Sequence, residues 1–171
     1  TGHACFAVGV AQLRRGELAG GITALQRGVE LTRARDLPMG TRILTPILGA
    51  GLARHGEATR ALALLAPIVA APLLPYCLNF VGEAYLLAGR LEEAEGVAAR
   101  ALEHSKLRKE YGVYAWALWL RGRIAAARAR PDEATALDRY RKALALAEKR
   151  GMRPLVACCC AGIAELGRQT A

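Results

Sequence analysis

The chain has 171 residues, enough for one compact domain or a short repeat array that buries its core without disulfides or metals. It is rich in Ala, Leu, Arg and Glu, with only 5% aromatic residues and few β-branched ones, a balance that favours helices and nearly excludes strands. The formal net charge of +9 raises nucleic acid as a partner, but the charge is uneven. Residues 1–70 hold eight basic against four acidic side chains, 71–105 two against five, and 106–171 fourteen against six. The surplus is almost all Arg and reads as solvated surface, so nucleic-acid scaffolding through the basic C-terminal part is the least favoured class.

In chain order, apolar residues at helical spacing predict helices near 2–15, 19–34, 40–54, 57–66, 74–88, 91–105, 109–129, 132–150 and 153–168. The start at Thr1, without an initiator Met or a basic-then-apolar leader, leads us to expect a piece of a longer polypeptide. Ala61 through Gly82 has no charged residue and would be long enough to cross a bilayer. Pro67, Pro72 and Pro75 should break any continuous helix there, so burial between helices is expected and no membrane partner. Late in the chain, Leu137, Tyr140, Leu144 and Ala147 form an apolar stripe, with Asp138, Arg141, Lys142 and Glu148 outside it.

A period links these segments. Gly9, Gly49, Gly82, Gly122 and Gly162 each lie inside an apolar helical stretch, at successive spacings of 40, 33, 40 and 40 residues. Seven residues further on stand Gly16, Gly56 and Gly89, where a helix would end and need positive φ. Small residues follow on the next helix at Gly21, Ala61, Ala94 and Ala136. Antiparallel helices can approach closely only where facing side chains are small, so each pair of small residues marks an expected crossing.

The clearest copy runs from Leu78 to Ala101 through Val81-Gly82, Tyr85, Gly89, Leu91-Glu92-Glu93-Ala94 and Ala101. It resembles the tetratricopeptide repeat. A second copy passes through Trp119, Gly122, Ala136, Tyr140 and Ala143, with Ala125 at the usual aromatic position. Weaker copies surround Gly49 and Gly9, with Ile68 at a usual Ala position and Gln12 at the aromatic one. The resemblance implies an all-α fold, a right-handed superhelix of antiparallel helix pairs with about nine helices. It would form one domain over 1–171, with repeats near 2–34, 40–70, 74–106 and 109–150 and a terminal helix at 153–168. Arg121-Gly122, the run Arg141 to Glu148 and Gly151 to Ala157 are also similar to the C-terminal repeat arrays of large bacterial signalling proteins, which couple an ATPase to a cyclase-homology or DNA-binding domain. No Gly-rich loop ending in Lys-Ser or Lys-Thr is present, so that activity would lie outside this chain.

In the repeat family the first helix of each pair lines a concave groove. The matching positions here are Phe6, Arg14, Arg54, Tyr76, Asn79, Glu83, Trp116, Trp119 and Arg123, with His3 beside them. Amides and guanidinium groups can hold a peptide backbone or a carboxylate while rings supply apolar anchors. Trp116 and Trp119, three apart on one helix face, fit core packing as readily as ligand contact. The Lys and Asn pattern that clamps a C-terminal carboxylate in chaperone-binding relatives is not reproduced. The expected function is a non-catalytic interaction or regulatory scaffold for a peptide, another domain of the parent chain or a second copy of itself; the alternative is a small-molecule sensor domain.

No catalytic group and no cofactor is expected. With one Ser, three Asp and three His, the chain offers no triad or acid–base spacing, and His104 and His55 read as helix-end residues. Cys158, Cys159 and Cys160 point about 100° apart on a helix and cannot converge on one metal ion. With Cys5 and Cys77 they make an odd, unpaired set that suggests a reducing, cytoplasmic setting.

Overall fold

A computed structural model describes residues 2–169, which fold into nine helices with no strand among them: α1 (Gly2–Arg15), α2 (Leu18–Ala34), α3 (Pro38–Arg54), α4 (Ala58–Val69), α5 (Pro75–Leu87), α6 (Leu91–Leu107), α7 (Tyr111–Ala126), α8 (Glu133–Lys149) and α9 (Arg153–Gln169). They form two compact units that part between Arg90 and Leu91. The repeat from Leu78 to Ala101 is divided by that boundary, with Gly82 on α5 and Ala94 on α6.

Six of the helix ends share one hydrogen-bonded turn. After α1, the Gly16 N–H donates to the Leu13 carbonyl (3.3 Å) and the Glu17 N–H to the Gln12 carbonyl (2.9 Å), with Gly16 at φ +81°. This pair of bonds satisfies carbonyls that the helix leaves open, and it requires a left-handed residue between them. Gly56 and Gly89 repeat it at φ +89° and +73°, as their spacing anticipates. Asp36 after α2 (φ 48°) and Lys109 after α6 (φ 56°) make the same turn without a glycine, and Gly151 makes it after α8. The α7–α8 connection differs. The Asp132 carboxylate accepts from the Thr135 N–H at 3.0 Å and caps α8, and these bonds hold the Asp132 carboxyl below its ordinary range.

In the first unit, α1 packs on α2, α2 on α3, and α3 on α4 and α5. Gly9, Gly21 and Gly49 each lie tight against a neighbouring helix, as expected of crossings. A Cβ on Gly9 would fall 2.5 Å from Leu25 Cγ, one on Gly21 would meet Leu13 at 2.9 Å, and one on Gly49 would meet Leu65 at 2.9 Å. Leu25 and Leu65 are fully buried, so each fills the hollow left by a glycine on the neighbouring helix. Gln12, in the aromatic position, instead lays its amide against Gly20.

One proline corrects the sequence reading. Pro67 does not break α4, which runs on to Val69 where its end was expected near 66; Pro67 lies exposed in the last turns, where the one missing N–H removes a single bond. Pro72 lies in the turn and Pro75 opens α5 at its first position, where no N–H is needed. Pro46 also lies inside a helix, α3, and is buried. The uncharged run from 61 to 82 is thus covered in part, with Leu65, Leu73, Cys77 and Leu78 buried but Leu74 exposed.

In the second unit, α7 packs on α6 and α8, and α9 on α8 and α7. Its core holds Ala115, Leu118, Ala143, Ala147, Leu155 and Cys159, with a neighbouring group of Ala125, Ala136, Tyr140 and Leu166. Arg121 of α7 pairs with Glu95 of α6. α7 is shorter than expected, ending at Ala126, since Pro131 and its neighbours lie in the turn that leads to the Asp132 cap.

Candidate partner-binding faces on the odd-numbered helices

Six of the nine expected groove residues lie in the first unit, on α1, α3 and α5. Phe6 of α1 and Tyr76 of α5 stand with ring centroids 6.5 Å apart, and Tyr76 meets Phe80 edge-on at 5.0 Å. Burial pushes the Tyr76 phenol above its ordinary range, and the nearby Arg14 guanidinium of α1 pulls the other way. Arg14 is itself exposed, so its cation sits at the rim of an aromatic cluster. Phe80 was not singled out in the sequence; it follows Tyr76 by four residues, the spacing that places two side chains on one helix face.

Arg54 and Glu83 face each other and not a vacant groove. The Arg54 Nη2 donates to Glu83 Oε2 at 2.6 Å and its Nε to Oε1 at 3.2 Å, a two-pronged bond from α3 to α5. The Glu83 side chain is only 8% exposed and that of Arg54 27%, so the pair is a partly enclosed tie between two odd-numbered helices. Asn79, half-buried, lies between Tyr76 and Glu83 along α5. His3 is exposed on α1.

No protein-family profile matches the chain, and neither does any curated protein.

The other three expected residues share α7 in the second unit. Trp116 and Trp119 pack edge to face with centroids 5.3 Å apart, and the Arg123 guanidinium carbon lies 4.8 Å over the Trp119 ring. Both indoles are half-buried against the core, and Trp119 touches both apolar groups of the unit. Core packing therefore accounts for part of each indole, and neither ring is wholly enclosed.

Elsewhere the reactive side chains are dispersed or occupied. Cys159 is buried, Cys158 half-buried and Cys160 exposed, and among the described residues no three His, Cys, Asp or Glu side chains gather as metal ligands. The buried Ser105 hydroxyl donates to the Leu102 carbonyl at 3.1 Å. His104 lies in the last turn of α6 and His55 is the C-cap of α3. No helix among the described residues is long and apolar enough to cross a membrane.

Proposed function

We propose that the chain is a tetratricopeptide-type interaction module, each unit a piece of a repeat array that holds a peptide or a partner domain on the face formed by its odd-numbered helices. The observation that carries this reading is the meeting of Phe6, Arg14, Tyr76 and Phe80 from α1 and α5, beside the Arg54–Glu83 tie from α3. Rings there offer apolar area at low entropic cost, and an exposed guanidinium at the rim selects a carboxylate or a backbone carbonyl. Trp116, Trp119 and Arg123 repeat the combination of ring and cation on α7. Such a module works by binding and needs no catalytic group. Its partner is a peptide, another domain of the parent protein or a second copy of the chain, in a cytoplasmic setting.

Selection of a displayed peptide library on the full chain tests this reading. Enriched peptides should lose affinity for the Arg14→Ala/Tyr76→Ala variant or for Arg123→Ala, while the helical circular dichroism is kept. Peptides that bind every variant as tightly as the wild type would remove these faces from consideration. A small-molecule sensor would instead be revealed by a metabolite that raises the melting midpoint without competing with any peptide.

A further inference from the structure

We propose that the end of the second unit where the α6–α7 and α8–α9 turns meet docks on an anionic lipid surface. Two contacts join those turns: the Arg150 guanidinium carbon lies 4.8 Å over the Tyr111 ring, and Met152 lies against Gly112, 3.8 Å from where its Cβ would stand. The joining gathers Lys106, Arg108, Lys109, Lys149, Arg150 and Arg153, all exposed, with only Glu110 and Glu148 as acids in the same two stretches. Glu110 is held by Arg108 at 2.6 Å. Amid these cations stands Leu107, 75% exposed, the most exposed large apolar side chain among those described, with Tyr111 exposed beside it.

A protruding leucine inside a collar of cations is poorly suited to solvent and to a phosphate backbone alone. Nucleic acid would use the cations and leave Leu107 in water. A bilayer with anionic headgroups uses both, since the cations are drawn to its surface potential and the leucine can enter the acyl boundary. The residues lie at or next to two turns, as a planar surface requires, and none is among Trp116, Trp119 and Arg123, named above for peptide binding in this unit. The first unit carries a similar mixture at its α2–α3 turn, where Leu37 and Met39 are exposed near Arg33 and Arg35.

Co-sedimentation of the full chain with vesicles of phosphatidylcholine, with and without phosphatidylglycerol, tests the proposal. Binding is expected only to the anionic vesicles and should weaken with salt. Lys109→Glu/Arg153→Glu should weaken it by roughly twentyfold or more, at about fivefold for each cation removed. Leu107→Ser, at a site too exposed to disturb the fold, should weaken it by about tenfold while leaving any binding to polyglutamate or duplex DNA unchanged. Absence of sedimentation, equal binding to neutral vesicles, or an unaffected Leu107→Ser variant would each overturn the lipid assignment; the last would leave a simple polyanion patch.

Discussion

The ring of Tyr140 occupies the space that a side chain on Gly122 would need, with Cδ1 and Cε1 each 2.7 Å from an ideal Cβ. The same ring lies against Gly162, whose Cβ would meet Cζ at 2.8 Å. One tyrosine of α8 is thus the spacer for both α7 and α9.

Gly122→Ala is expected to destabilise the second unit. Overpacking costs about 1–3 kcal/mol, offset by up to about 1 kcal/mol from the better helix propensity of Ala. Gly96→Ala is the control, since its Cβ would meet nothing within 4 Å, and it should stabilise by about 0.5–1 kcal/mol. Urea unfolding of both variants decides the matter; a Gly122→Ala protein as stable as Gly96→Ala would mean that the crossing tolerates a methyl.

The period in the sequence located these crossings because a glycine between apolar neighbours in a helix is costly unless a second backbone or ring requires it. Gly9, Gly49, Gly122 and Gly162 all proved to face a bulky neighbour. Gly16, Gly56 and Gly89 were legible for a different reason, the left-handed turn. Asp36 and Lys109 make the same turn with ordinary side chains, so nothing in their identity announced it. Pro67 was misread because its cost depends on where in the helix it falls. The sequence named candidate positions but not the partnerships between them. That Arg54 would be engaged by Glu83 depends on the approach of α3 to α5, which no spacing within either helix encodes.

Loss of one member of that pair should cost more than loss of both. Arg54→Ala leaves a nearly buried Glu83 carboxylate without its guanidinium and is expected to destabilise by about 2–3 kcal/mol, below the ~3–5 kcal/mol of a fully enclosed pair because the Arg54 side chain is still 27% exposed. Arg54→Leu/Glu83→Leu should recover most of the loss. A double variant as unstable as the single one would show that the ion pair itself is the stabilising element.

The left-handed turns offer a stabilising change and its opposite. Lys109→Gly relieves a side chain held at φ 56° and should gain about 0.5–1 kcal/mol. Gly56→Ala places a methyl on a residue at φ +89° and should lose about 1 kcal/mol or more. Thermal melts of the pair should move in opposite directions.

Stability should fall in alkali. Burial pushes the Cys77 thiol up to about 11 and the Cys159 thiol and Tyr140 phenol up to about 12, from ordinary values of 9.0 and 10.0. The unfolded chain therefore ionises first. The stabilisation is complete below about pH 9 and is lost as the pH rises through the folded values, because in that window the unfolded state binds fewer protons. The urea midpoint should hold steady to about pH 8.5 and then decline. A thiol reagent should label exposed Cys160 at once and reach Cys77 and Cys159 only on unfolding.

Both tryptophans of the chain stand on α7. Indole emission therefore reports the melting of residues 91–169 alone, while far-ultraviolet dichroism averages all nine helices described. If the two halves unfold as separate cooperative blocks, the two signals will give different midpoints; if they unfold together, the curves will superimpose. The placement of two side chains on one helix thereby gives the chain a built-in test of whether it has one melting transition or two.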